Sequence, residues 1–327
     1  MRAVVCEALA ADFSRVALKN LPDPEPGRGE VRVRVEAASL NFPDLLMLRG
    51  EYQFKPEPPF TSGMDLCGVV DLAGEGVDLP RGTRVAGGAK TGAFADYAIC
   101  PASNLHAVPE AMTPSRAAAY PAAYTTAHVS LIARGQLQAG ETLLVHGASG
   151  GVGMATLDVG RLLGARVIAT TASPEKAQAL QHAGAHEVIV LGARPGDAFR
   201  EQVKAFTNGK GADVIFDPIG GDVFDESTRC IAFNGRLLVI GFAGGRIANV
   251  NTNIPLIKGF SVVGVRAGEY GRQFPDRGRL IRDEIWKWAA EGKTNPTVFA
   301  ELPLDRWREA FELMRDRRLV GKVVLRP

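Results

Sequence analysis

The run Val145-His146-Gly147-Ala148-Ser149-Gly150-Gly151-Val152-Gly153 carries the clearest chemistry in the sequence. Its glycines stand at 147, 150 and 153, in the spacing G-x-x-G-x-x-G. An apolar stretch from Thr142 to Val145 precedes it, and a helical pattern from Met154 to Leu163 follows. A strand, a glycine turn and a helix in that order make an anion cradle. Glycine lets the backbone approach a pyrophosphate closely, and the free N–H groups at a helix start point at it. Gly147, Ala148, Ser149, Gly150, Gly151, Val152 and Gly153 are therefore the expected cofactor-binding residues. The spacing is one residue longer than the G-x-G-x-x-G dinucleotide fingerprint. The flanking strand and helix, more than the glycines, carry the reading.

The next strand bears on which dinucleotide is held. A chain that selects NAD places an acid about 20 residues past the glycines, to bond the ribose 2′-OH. Here the segment Ala169-Thr170-Thr171-Ala172-Ser173-Pro174-Glu175-Lys176 has no acid at the strand tip. Ser173 and Lys176 offer a hydroxyl and an ammonium to a 2′-phosphate, so NADPH is the expected cofactor. Ser173 before Pro174 also reads as a helix N-cap with proline at N1, and Lys176 as a solvated side chain. Glu175 complicates the phosphate reading.

These residues need a scaffold. From Thr113 onward, helix and strand patterns alternate. Pro114–Ala133 is helical, Arg166–Thr170 a strand, Pro174–His182 a helix, Val188–Leu191 a strand and Ala198–Phe206 a helix. Asp213–Phe216 is a strand, Asp222–Ala232 a helix, and Arg236–Gly241 and Lys258–Val265 are strands. This is the βαβ rhythm of a doubly wound parallel sheet. Before it, residues 1 to about 110 hold short β-rich runs between Gly, Pro and Asp clusters, the pattern of a small mainly β unit. After about Ala267 the rhythm stops. Two helices (Arg279–Ala290, Asp305–Arg315) and two strands (Val298–Leu302, Gly321–Leu325) remain. They are too few for a core of their own and are expected to rejoin the N-terminal unit. The expected organisation is 1–120, 121–266 as a Rossmann unit, and 267–327 completing the first.

Composition sets bounds. The chain has 327 residues, enough for two domains of roughly 150 residues each. A net charge of +2 with 46% apolar and 23% charged residues gives no case for nucleic-acid binding and fits an ordinary globular protein. Cys6, Cys67, Cys100 and Cys230 show no C-x-x-C spacing, so they imply neither a zinc site nor a disulfide framework. Reduced thiols, the absence of a signal-peptide pattern at Met1–Glu7 and the absence of a run of ~18 apolar residues point to a cytoplasmic protein without membrane contact.

The chain resembles the zinc-free, zeta-crystallin-like quinone oxidoreductases of the medium-chain dehydrogenase/reductase superfamily over essentially its whole length. The resemblance rests on Asn41-Phe42-Pro43-Asp44 with Arg49-Gly50-Glu51-Tyr52, on Pro59-Phe60-Thr61-Ser62-Gly63-Met64-Asp65, and on Pro121-Ala122-Ala123-Tyr124-Thr125-Thr126-Ala127. The glycine loop and Leu256-Ile257-Lys258-Gly259 complete it. It implies a GroES-like mainly β domain beside a Rossmann-type sheet, an active site in the cleft between them, and a homodimer paired along Phe260–Val265.

Departures from zinc-dependent relatives carry chemistry. Those relatives have Cys where this chain has Asn41, Gly-His-Glu where it has Gly63-Met64-Asp65, and a further Cys near Ala122. Their four-cysteine lobe is also missing between Gly87 and Pro109. A catalytic zinc needs about three Cys, His or acidic ligands, so no metal is expected. Without a Lewis acid, hydride transfer to an acceptor already polarised by conjugation, a quinone or an enone, is the reading favoured over alcohol oxidation.

The resemblance also implies roles for single residues. Asn41 would donate its amide to a carbonyl or a ribose hydroxyl, though an Asn before Pro43 is also a turn former. Tyr52 would donate a proton or only line the pocket. Thr126 would meet the nicotinamide end. Phe242, after Ile240-Gly241 at a strand's C-terminal end, would lie where such sheets bind cofactor, and Arg266 would meet the 2′-phosphate side or the substrate mouth. Two alternatives stand beside a quinone reductase: an enoyl or acryloyl thioester reductase, and an NADPH-binding protein with little turnover. His146 is expected to be partly buried. Ser149 lacks the G-x-S-x-G elbow of a hydrolase.

Overall fold

In the first unit, β1 (Arg2–Cys6) pairs antiparallel with β2 (Val16–Asn20). β3 (Glu30–Ser39) alternates buried Val31, Val33 and Val35 with Arg32 and Arg34, as a strand with one face in a core must. α1 (Phe42–Arg49) ends at Gly50, whose φ of 70° reverses the chain. β4 (Phe60–Thr61) adds to the other side of β1. β5 (Asp65–Ala73), β6 (Arg84–Gly88), β7 (Tyr97–Pro101) and β8 (His106–Ala107) complete the N-terminal strands. α2 (Pro114–Ala118) starts at Thr113, whose hydroxyl accepts from the Arg116 N–H, and α3 (Pro121–His128) follows.

The computed structural model describes residues 1–192 and 199–327. These form two compact units, Met1–Ala122 with Pro296–Pro327, and Ala123–Asn295. Ala198, expected to open a helix, lies outside the described residues.

The second unit is a parallel sheet. Its strands are β9 (Thr142–Val145), β10 (Arg166–Thr171), β11 (Glu187–Val190), β12 (Ala212–Asp217), β13 (Ile231–Val239) and β14 (Ser261–Gly264). The order is β11-β10-β9-β12-β13-β14, with every pairing parallel. That is the doubly wound order in which a dinucleotide sits where the strand order reverses, between β9 and β12. The helices are α4 (Gly151–Leu162), α5 (Ala177–His182), α6 (Phe199–Phe206), α7 (Gly221–Cys230), α8 (Asn253–Lys258), α9 (Ala267–Gln273) and α10 (Pro275–Ala290). The central strands are buried almost end to end, which explains the apolar runs Leu143–Val145 and Val214–Phe216 at their centres.

Two expectations fail in this unit. The strand expected from Lys258 to Val265 is only Ser261–Gly264, and Lys258 closes a helix. Pro255 suits a first helical turn, and Gly259, at φ 63°, ends the helix before β14 can begin. The chain also does not leave the second unit at Ala267. α10 buries Ile281, Ile285, Trp286 and Trp288, and Trp288 stacks on His128 with ring centroids 5.4 Å apart. The return falls at Pro296.

Back in the first unit, β15 (Val298–Pro303), α11 (Trp307–Arg315) and β16 (Lys322–Arg326) complete the fold. β16 lies between β15 and β3, so the larger sheet runs β15-β16-β3-β5-β6-β8, with β7 also on β3. Its core joins Phe13, Phe94, Trp307 and Phe311, aromatic rings from both ends of the chain. No helix among the described residues is long and apolar enough to cross a membrane.

Candidate active site

The glycine loop leaves the carboxyl end of β9 and opens α4. The helix begins at Gly151, three residues before the pattern implied, because Gly150 takes the extended N-cap conformation (φ −75°, ψ 165°). Gly147 sits at φ 57°, and a Cβ there would stand 3.0 Å from Ile219 Cδ1. A Cβ on Gly153 would stand 2.7 Å from Ala148 Cα. The first turn of α4 therefore presses on the loop as only glycine permits. The N–H groups of Gly151, Val152 and Gly153 have no carbonyl four residues back within the helix, and they provide the donors of an anion cradle.

His146, just before the loop, is fully buried rather than partly buried. The Ser227 hydroxyl donates to Val223 O at 2.7 Å, so its lone pair accepts from His146 Nε2 at 2.8 Å. Nδ1 then accepts from the Thr170 hydroxyl at 3.0 Å. This fixes the tautomer and ties β9 to β10 and α7. Burial pushes the imidazole down to about 3, so it is neutral at physiological pH.

The neighbouring strand ends contribute turns on the same side. Asp217 Oδ1 accepts from the N–H groups of Ile219 and Gly220 at 2.8 and 2.9 Å, while Oδ2 is buried with no hydrogen-bond partner among the described residues. Burial raises its pKa. Phe242, exposed beyond β13, packs on Gly220, where a Cβ would come within 2.9 Å of the ring. The structure thus brings Phe242 and the glycine loop to one edge of the sheet. Thr126 is half-buried in α3, and its carbonyl accepts from the Ser130 hydroxyl at 2.6 Å. Arg266 stands exposed at the start of α9, 3.8 Å from Glu269.

At the tip of β10 the expectation needs correcting. Ser173 does occupy an N-cap position, but its side chain makes no capping bond. The hydroxyl instead donates to the Glu175 carboxylate. That bond holds the exposed Glu175 carboxyl below its ordinary range. Lys176 is not a solvated side chain: only 9% of it is exposed. The Ser173 N–H is held by Thr171 Oγ1 at 3.2 Å.

In the first unit, Asn41 precedes α1 and is buried. Its Nδ2 donates to Asp65 Oδ2 at 3.0 Å and to Ser39 O at 3.4 Å, and its Oδ1 accepts from Lys322 Nζ at 2.7 Å. An amide between a carboxylate and an ammonium has one favourable orientation, NH₂ to the anion and C=O to the cation. Both ends are thereby engaged inside the unit, and the amide expected to serve an acceptor carbonyl is already occupied. Asp44 Oδ2 accepts from the Asn41 N–H at 2.7 Å, and Asp65 Oδ2 also accepts from the Ala122 N–H at 3.2 Å. Burial raises Asp44 to about 7 and raises Asp65; burial lowers Lys322. Lys322 draws both carboxyls back down. Sequence reasoning missed Lys322 and Asp44. The signals were an acid three residues after Asn41 and a lone lysine in the apolar run Gly321–Leu325. Tyr52 is half-buried in the irregular segment after α1.

Comparison with known proteins matches residues 27–110 to the alcohol dehydrogenase GroES-like domain and residues 151–282 to the zinc-binding dehydrogenase family. A quinone oxidoreductase-like protein 2 of Bos taurus is 35% identical over 322 residues, 97% of this chain and 91% of that one. The native structure of a mycobacterial protein complexed with NADPH matches with a TM-score of 0.93 and 29% identity, covering 100% of both chains. A quinone oxidoreductase of Thermus thermophilus, also solved with NADPH, matches with a TM-score of 0.85 and 31% identity, again over 100% of both chains.

The buried imidazole generates a pH dependence. His146 is neutral when folded and protonates near its ordinary 6.5 when unfolded. Its folded pKa is depressed, so its stabilisation is complete above pH 6.5 and is lost as pH falls from 6.5 toward 3. This one group should steepen the loss by about 1.4 kcal/mol per pH unit. Denaturant titrations at pH 7.5, 6.0 and 5.0 should show that extra slope in the native protein and not in His146→Gln. Equal slopes would contradict the neutral buried state.

Proposed function

The chain belongs to the quinone oxidoreductase group of the medium-chain dehydrogenase/reductase superfamily, and from that premise we propose that it reduces a quinone or another conjugated carbonyl with NADPH and without zinc. The cradle fits a dinucleotide because its close approaches at Gly147 and Gly153 are ones a side chain would block. Gly147–Gly153 would hold the pyrophosphate, Ser173 and Lys176 the 2′-phosphate, and Thr126 and Phe242 the nicotinamide end. Arg266, past β14 and four strands from β10, is too far from Ser173 for the 2′-phosphate side and would serve the substrate mouth. NADPH bound there supplies the hydride.

The observation that carries the zinc-free reading is the engagement of Asn41 and Asp65. Asn41 Oδ1 takes an ammonium, and Asp65 Oδ2 takes two N–H groups. Met64 offers only a thioether. This donor set does not fit zinc, which takes Cys, His or carboxylate ligands around an open position. Among the described residues, no group of three His, Cys, Asp or Glu is placed to hold a metal ion. In this reading the acceptor is polarised by its own conjugation. Hydride delivery to a quinone leaves an oxyanion that takes a proton from water, whereas an enone leaves an enolate that gains from a positioned acid. Tyr52 is that acid in this reading.

The cofactor choice turns on Glu175. While it holds the Ser173 hydroxyl, it places a carboxylate beside the expected phosphate. The proposed partner is a second copy of this chain. β14 is the outer strand of its sheet, with Ser261, Val262 and Gly264 exposed. Beside it lie Phe233 and Leu256, each 81% exposed, and Ile257 at 73%. An unpaired edge flanked by apolar side chains is suited to antiparallel addition of its own copy.

Three measurements test these readings. Steady-state NADPH oxidation should proceed with 1,4-benzoquinone and 9,10-phenanthrenequinone, survive chelation, and fall about ten-fold for an enone but little for a quinone in Tyr52→Phe. Preferential turnover of crotonyl thioesters would favour the thioester reductase, and no turnover with any acceptor would favour a binding role. Glu175→Gln should lower the NADPH KM about three- to five-fold while leaving NADH unchanged; equal catalytic efficiency of the two cofactors in the native protein would sink the NADPH assignment. Sedimentation equilibrium at micromolar concentration should give twice the monomer mass, and a monomer would reject edge pairing.

A further inference from the structure

The group under the start of α1 is unusual in its charge. Asp44, Asp65 and Lys322 are all buried, as is Asn41 between them. Two carboxylates and one ammonium are withdrawn from water together, which is costly for each ion unless its field is compensated. They come from different parts of the chain: Asp44 from α1, Asp65 from the first residue of β5, and Lys322 from the first residue of β16. Lys322 Nζ has the Asn41 oxygen at 2.7 Å, and both carboxylates act on it. Asp44 Oδ1 is buried with no hydrogen-bond partner among the described residues, so the nearby ammonium is its compensation through space rather than through a direct bond.

We infer that Lys322 is a positioning residue whose buried ammonium, set on the Asn41 oxygen beside the Asp44 and Asp65 carboxylates, does a metal cation's work there and fixes the α1 segment leading to Tyr52. The inference rests on the functional reading above in one respect only, that Tyr52 and its segment serve the acceptor. Without the ammonium, the two carboxylates repel, and the Asn41 amide loses the partner that sets its orientation. The carbonyl would no longer have a cation, and Asp65 would compete with Asp44 for the remaining donors. The start of α1 is then free to shift, and Arg49 to Phe54 with it. Cofactor binding belongs to residues of the second unit and stays as it is.

The test is a charge-balance cycle. Lys322→Met should lower the melting midpoint by roughly 10 °C, since it removes the cation that compensates the buried Asp44 and Asp65 carboxyls. Lys322→Met combined with Asp65→Asn removes one cation and one anion, and it should recover at least half of that loss. If the double variant melts at or below the single one, or if neither folds, the lysine acts by packing alone and the inference is overturned. The kinetic readout is a split: quinone kcat/KM falls at least ten-fold in Lys322→Met, while NADPH Kd, followed by nucleotide fluorescence, stays within two-fold. A parallel loss of both overturns the positioning role. If the native protein turns over no acceptor, the functional reading fails, and the melting cycle alone decides whether the cluster is held by charge.

Discussion

The contact on which the cofactor unit depends is the approach of the first turn of α4 to the loop that precedes it. Gly153 meets Ala148 and Gly147 at a spacing that excludes any Cβ. That closeness aims the helix N-terminus into the loop and sets the loop over the carboxyl ends of β9 and β12. Everything around it is arranged to leave the space empty. Asp217 folds the next turn by accepting two backbone N–H groups, the glycines at 220 and 221 take positive φ, and Phe242 rests on the surface Gly220 leaves bare.

The two units bury polar side chains in opposite ways. Under the glycine loop, His146 is kept neutral, and each ring nitrogen has a hydroxyl partner. The imidazole itself adds no charge under the loop. Beneath α1, the groups are ionisable and paired through space, so the fold keeps a local field in a region without water. A neutral network confers rigidity, whereas a charged one confers rigidity only while its balance is kept.

How far the sequence can be read follows from how local each feature is. The glycine loop is legible because close approach, strand and helix are written within about twenty consecutive residues. The parallel sheet is legible because its buried strands carry short apolar runs, such as Leu143–Val145 and Val214–Phe216, between helical patterns. Lys258 misleads because it abuts the β-rich run Phe260–Val265, yet in the fold it is the last residue of a helix that Gly259 terminates. Ala267 looks like the end of the unit because the βαβ rhythm ends there. What keeps α10 in place is a tertiary contact, Trp288 against His128, that no periodicity records. The Asn41 group is the least legible. Its side chains come from the two ends of the chain, Asn41 bonding a lysine 281 positions away, and each alone has an ordinary explanation.

The position of β16 has a consequence for the order in which the molecule can form. It is the last strand of the chain, yet it lies inside its sheet, against β3. During synthesis β7 can pair with Glu30–Arg34 of β3, but the Ala38–Ser39 end of that edge stays bare until Lys322 to Arg326 are made. At ordinary elongation rates that wait is on the order of 15 to 60 seconds. Through that interval Asp44 and Asp65 lack the lysine that compensates them in the folded unit. The second unit has all its strands between residues 123 and 295 and is under no such constraint. The second unit thus has every strand of its sheet earlier in the sequence than the first does, and Lys322 to Arg326 bring the first unit both a strand and a compensating charge.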